Sequence, residues 1–174
     1  EKASIIKNGG TVFATKGSKK VNEVIKKISD QKSATLQFLG EDFYVEKATK
    51  KTPSMFIDYR NKKTCLNNLE LSLLGGFQAR NAALALSACL HHAHKNGKDI
   101  NEQSIRKALR ETSWSGRMEV ISLRPTIILD TAHNPAAVKE LAKSVQELFS
   151  YARVILILGV MNDKQADEIF KKLA

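Results

Sequence analysis

The stretch 126-TIILDTAHNPAAVKEL-141 decides how this chain is read. An apolar, β-branched run ends in Asp130, and His133, Asn134 and Pro135 follow within five residues. Val138, Leu141, Val145 and Leu148 then recur at helical spacing. The pattern predicts a strand that delivers an acid and a histidine to the start of a helix. Asn134 suits the capping position and Pro135 the first helical position, where a missing N–H costs nothing. The N–H groups left free in such a first turn favour an anion. Beyond the helix, 153-RVILILG-159 reads as a second strand. Strand, helix and strand together predict a βαβ unit with parallel neighbours and a right-handed crossover. Ligands bind beyond the carboxyl ends of such strands, so the Asp130 loop and 159-GVMNDKQ-165 are expected on one sheet edge. The same residues also suit a plainer reading, in which Asp130 and Asn134 only cap a helix and His133 is solvated.

Working back from this stretch, EVISL at 119–123 reads as another strand, and TSWSG at 112–116 as a linker of small polar residues. Helices are expected over about 102–110, started by Asp99 or Asn101, and over about 78–94, closed by Gly97. SIIK, TVFA, ATLQFL, FYVE, MFIDYR and LELSLL read as short strands, with Leu69, Leu71 and Leu73 alternating. Val21, Val24, Ile25 and Ile28 fall on one helical face.

The 174 residues are 43% hydrophobic with three prolines, which suits a globular core. No apolar run is long enough to span a membrane. EKASIIKNGG has neither a signal-peptide pattern nor an initiator methionine, so the chain is expected to start inside a longer protein. Cys65 and Cys89 lack metal-ligand spacing and read as reduced thiols, which implies a cytoplasmic location. The net charge is +10, and half of the 28 Lys and Arg residues lie in the first 63 positions. Aromatics are sparse and no nucleic-acid signature accompanies the charge, so the lysines read as a solvated face that favours anionic ligands. His91, His92 and His94 resemble a metal cluster but sit at an exposed helix end without a carboxylate. GGTVFATKGS lacks the G-x-x-x-x-G-K-[ST] spacing, and no phosphate loop of that type occurs in the chain.

Five segments, in order, resemble one family. 1-EKASIIK, 77-FQARNAALALSA, 114-WSGRMEVI, 129-LDTAHNPAAVKEL and 158-LGVMNDKQ are similar to elements of the folylpolyglutamate and dihydrofolate synthases, within the Mur ligase superfamily. The resemblance implies an α/β chain: the end of a P-loop ATPase domain, then part of a Rossmann-like C-terminal domain. The expected division is 1–113 for the ATPase part, 114–117 for the linker and 118–174 for the C-terminal part. It implies ATP-dependent addition of L-glutamate to a folate or dihydropteroate carboxylate through an acyl phosphate, with ATP and Mg²⁺ as cofactors. A monomer acting on small molecules, without nucleic acid or membrane, is expected. The alternatives are another Mur-type amino-acid ligase of cell-wall synthesis, or a non-catalytic basic binding domain.

Carried over by position, Lys2 matches the lysine that is carbamylated in this family. As a carbamate it would serve catalysis and hold the metal. Gln78 and Asn81, one helical turn apart, match nucleotide contacts. Arg117 matches the linker arginine that reaches the phosphates, a task suited to its fork of donors. Asp130 and His133 match the C-terminal domain's catalytic contribution, and Asp130 also faces the nucleotide. Four positions depart from the family pattern. Ser4 and Thr131 replace glycines, Ser115 replaces a proline, and Gln165 replaces an acid. Thr131 is the most consequential, because a β-branched residue restricts a tight turn.

Overall fold

The computed structural model describes residues 2–51, 54–161 and 166–173. After a 3₁₀ turn at Lys2–Ile5, β1 (Thr11–Ala14), α1 (Lys19–Gln31) and β2 (Thr35–Phe38) form a βαβ unit, with the two strands paired in parallel. Ser18 caps α1 by accepting from the Val21 N–H. SIIK is therefore not a strand: Ser4 and Ile5 lie in the 3₁₀ turn, and the Ile6 N–H closes it on the Ala3 carbonyl at 3.2 Å. The Ile6 N–H thus finds its acceptor three residues back in the chain, as a 3₁₀ turn requires.

β3 (Phe43–Lys51), β4 (Ser54–Asn61) and β5 (Cys65–Leu71) form an antiparallel meander. Its period-2 pattern turns Met55, Ile57 and Tyr59 of β4, and Leu69 and Leu71 of β5, into the core. α2 (Gly76–Lys95) lies on β3 and β4, and α3 (Glu102–Glu111) packs on β5. The face that α2 buries is small, with Ala79, Ala82, Ala83 and Leu86, which lets the helix axis come close to the sheet. Gly97 follows the helix at φ +64°, a left-handed conformation that glycine adopts without strain, and Asn101 caps α3 through the Gln103 N–H. Tyr59 is fully buried, and its hydroxyl is 2.9 Å from both Ser87 Oγ and Asn61 Nδ2.

β6 (Glu119–Leu123) and β7 (Thr126–Leu129) form an antiparallel hairpin, and α4 (Pro135–Leu148) and α5 (Ala166–Leu173) pack on each other. The parallel unit expected around α4 does not form among the described residues. RVILILG has no ladder partner, and Ile155 and Ile157 are 73% and 95% exposed. Its hydrophobicity is that of a strand buried on both faces, but strand structure requires a neighbour's N–H and C=O groups, and none lies alongside among the described residues. The parallel βαβ unit lies instead at residues 11–38. Of the 159–165 loop, residues 162–165 lie outside the described residues. No helix among those described is long and apolar enough to cross a membrane.

Two outcomes are expected. The 174-residue chain binds an environment-sensitive apolar dye through the 154–157 stretch, and Ile155→Lys with Ile157→Lys cuts the fluorescence enhancement by about twofold or more. Burial raises the Tyr59 pKa above 10.0, so its contribution to stability is complete below that pH and is lost as pH rises through the folded value. Tyr59→Phe should flatten the alkaline fall in a denaturation series and cost about 1–2 kcal/mol at neutral pH.

Candidate active site

The turn after β7 is organised by one carboxylate. Asp130 Oδ2 accepts from the Met118 N–H at 2.8 Å, and Oδ1 accepts from the Ala132 N–H at 2.7 Å. One side chain thus ties the end of β7 to the segment that enters β6, as well as to its own turn. Hydrogen bonds with a charged acceptor are the stronger kind, and Asp130 is half-buried, which limits competition from water.

A second set of bonds reinforces the first. The Thr131 N–H and hydroxyl both donate to the Gly116 carbonyl, at 2.9 and 3.1 Å, and the Gly116 N–H donates to Glu119 Oε2 at 2.8 Å. Gly116 has φ +70°, and a Cβ placed there would meet Thr131 Cγ2 at 2.7 Å, so glycine is required on both counts. Thr131 itself is not among the positive-φ residues. The strain expected of a β-branched residue at this turn is absent, and its methyl and hydroxyl become contacts to the linker. The unusual backbone belongs to Met118, at φ +48°. A left-handed conformation costs a non-glycine residue about 1–2 kcal/mol, which the Asp130 bond and the burial of its side chain offset.

His133 Nδ1 lies 2.9 Å from the Thr131 carbonyl. A carbonyl only accepts, so Nδ1 carries the proton, and in the neutral ring Nε2 is the bare nitrogen on an exposed side chain. Asn134 caps α4 by accepting from the Ala137 N–H at 2.9 Å, with Pro135 in the first turn. Arg117 is exposed and forms no ion pair among the described residues, so its guanidinium is available to an anion.

The N-terminal end of α2 lies close by. Gly75 precedes it at φ +104°, and a Cβ there would stand 3.2 Å from Met118 Sδ and 2.6 Å from Phe77 Cε1. In the first turns of α2, Asn81 Nδ2 donates to Gln78 Oε1 at 3.0 Å; Gln78 is buried and Asn81 exposed. Arg80 pairs with Glu140 of α4 at 2.8 Å. The structure thus brings the α2 start, with Gln78 and Asn81, toward the segment that holds Arg117, Asp130 and His133.

Lys2 is exposed in the 3₁₀ turn, which packs on α1. The three histidines of α2 have separate partners: His91 meets the Phe13 ring edge-on at 5.6 Å, His92 lies near Asn96, and His94 Nε2 is 3.2 Å from Lys63 Nζ. His91 and His94 also line a cavity of about 550 Å³ at the other end of α2, away from the Asp130 turn. Gly116, Met118 and Glu119 were not singled out from the sequence. The one signal was an apolar methionine set between two charges in Arg-Met-Glu, just where a strand begins.

Comparison with known proteins adds to this geometry. Residues 116–174 match the family "Mur ligase, glutamate ligase domain", and that match begins at Gly116. The chain is 26% identical over 173 residues to the dihydrofolate synthase/folylpolyglutamate synthase of Bacillus subtilis, covering 99% of this chain and 40% of that protein. It is similar to the folylpolyglutamate synthase of Mycobacterium tuberculosis complexed with ADP, with a TM-score of 0.86 and 25% identity over 94% of this chain and 36% of the other. It is also similar to an FPGS–AMPPCP–folate complex, with a TM-score of 0.82 and 29% identity over 86% of this chain and 37% of the other. The chain thus spans about two fifths of these relatives.

Asp130→Ala removes the acceptor of two backbone N–H groups and should cost about 2–3 kcal/mol in denaturant unfolding, whereas Asp130→Asn, which keeps one acceptor, should cost about half of that. Equal, negligible losses for both would show that the carboxylate does not organise the turn.

Proposed function

We infer that this chain, whose residues 116–174 match the Mur ligase glutamate ligase family and which is similar to folylpolyglutamate and dihydrofolate synthases, is part of an ATP-dependent ligase adding L-glutamate to a folate or dihydropteroate carboxylate. The observation that carries the reading is the Asp130 clamp. It fastens the backbone next to Arg117 to the turn bearing His133, beside the α2 end that holds Gln78 and Asn81.

The chemistry explains these residue types. A carboxylate is a poor electrophile, and phosphorylation by ATP gives it a leaving group. The amine of glutamate then attacks the acyl phosphate carbon, the C–N bond forms, the C–O bond to phosphate breaks, and inorganic phosphate departs. Charge gathers on the phosphoryl oxygens as they transfer, and fixed donors and cations stabilise it. Arg117 offers a planar fork of donors to those oxygens, His133 a ring held in one tautomer, and the Gln78–Asn81 pair an amide surface for the nucleotide.

Residues 1–113 then belong to the ATPase part, 114–117 to the linker and 118–174 to the C-terminal part. Motion about the linker closes a site built from both. Lys2 does not fit Mg²⁺ as an ammonium, which has donors but no lone pair. Only as a carbamate would it offer the metal oxygens, and no group of three His, Cys, Asp or Glu among the described residues could hold an ion. The protein is read as a cytoplasmic monomer acting on small molecules.

The test uses the full-length parent protein with ATP, radiolabelled L-glutamate and either dihydropteroate or a reduced folate. ADP release that requires both glutamate and the pterin substrate is the expected result. ADP release only with a cell-wall precursor, or none at all, would overturn the assignment. Arg117→Ala should raise the KM for ATP about tenfold, with Arg117→Lys recovering only part of the loss.

A further inference from the structure

Met118 has three features that the proposed chemistry does not use. Its backbone is left-handed at φ +48° without being glycine, its N–H is held by Asp130, and its side chain is 1% exposed. Its neighbour Arg117 is exposed, so burial at 118 is not a property of the whole segment. The side chain is buried against the start of α2, where the space a Cβ on Gly75 would need is taken by Met118 Sδ and the Phe77 ring. Gln78 begins three residues later, and its N–H donates to the Gly75 carbonyl at 2.8 Å, closing the first turn.

A second fastening lies on the next turn. Arg80 reaches Glu140 of α4 at 2.8 Å, and α4 is the helix that Asn134 caps directly after His133. Both partners are partly exposed, so the pair contributes mainly to register. One contact is apolar and comes from the linker side; the other is ionic and comes from the helix side. Gln78 lies between them on α2, with Asn81 next to Arg80, and the Asp130–His133 turn lies between Met118 and Glu140 in the chain.

We propose that Met118 is a positioning residue, a buried knob clamped by Asp130 that seats the Arg117–His133 segment on the first turn of α2, with the Arg80–Glu140 pair setting the register. The functional side of this proposal rests on the ligase reading above. The thioether suits the task, because an unbranched, polarisable side chain fills an irregular gap beside a glycine and an aromatic ring. A small residue at 118 would leave Asp130 able to hold the backbone while α2 lost its stop.

The experiment compares Met118→Ala, Met118→Leu, Arg80→Glu, Glu140→Arg and the double charge swap in the full-length parent. Two readouts are taken: steady-state kinetics for ATP, and hydrogen exchange of the amides at 77–81. Met118→Ala should raise the KM for ATP about tenfold with a smaller change in kcat, and speed exchange at 77–81 by a similar factor. Met118→Leu should restore both to within about twofold. Arg80→Glu should lower kcat/KM about fivefold, and the double swap should recover it. If Met118→Ala does not fold, Met118→Gly, which removes the side chain and adopts φ +48° without strain, provides the same comparison. A variant that only lowers the melting temperature, leaving KM and local exchange unchanged, would overturn the knob. Failure of the double swap to rescue would overturn the ionic register. Should the wild-type parent show no ATP-dependent ligation, the ligase reading fails, while the exchange data still decide whether Met118 seats α2.

Discussion

Two hydrogen bonds to Asp130 hold the turn after β7 to the segment that enters β6. Each carboxylate oxygen takes one backbone N–H, from Met118 on one side and Ala132 on the other, so a single charge joins the entry to β6 with the exit from β7. Without it, the left-handed backbone at Met118 would have no fixed partner, and the turn carrying His133 would lose its link to the linker segment. Thr131 and Glu119 strengthen the arrangement by bonding to both ends of the Gly116 peptide unit. Asp130 therefore shapes the candidate site through its backbone bonds alone. Its role in folding and its proposed role near a nucleotide cannot be separated by a single alanine substitution.

This clamp matters because of where α2 begins. The meander β3–β4–β5 and the alanine face of α2 form the main core, and Gln78 is buried in the helix's first turn. The helix thereby presents Asn81 from a rigid base. Gly75 opens the way for Met118 at that end, and Arg80 reaches across to Glu140. The proposed site needs fixed geometry on both sides, and here the buried Gln78 and Met118 and the backbone-bonded Asp130 supply it, with the partly exposed Arg80–Glu140 pair between the two helices.

Much of this was legible in the sequence. The meander followed from alternation, as at Leu69 and Leu71. α2, α3 and α4 followed from periodicity and from their punctuation by Gly97, Asn101, Asn134 and Pro135. The order of five motifs pointed to the family. Periodicity failed where a segment's identity depends on a partner. SIIK closed into a 3₁₀ turn, and RVILILG has no ladder among the described residues, because hydrophobicity measures the tendency to be buried and not the presence of a neighbour.

The sequence by itself determined that an aspartate and a histidine stand before a capped helix, which follows from residue type and spacing, both local properties; the arginine and the amide pair entered only through the resemblance of motifs to a family. Only the tertiary structure decided how they are held. The tolerance of Thr131, the strain at Met118 and the need for glycine at 75 and 116 all depend on contacts between segments distant in the chain. Such contacts leave no periodic trace, because the space a side chain meets is set by its neighbours in the fold and not by its neighbours in sequence.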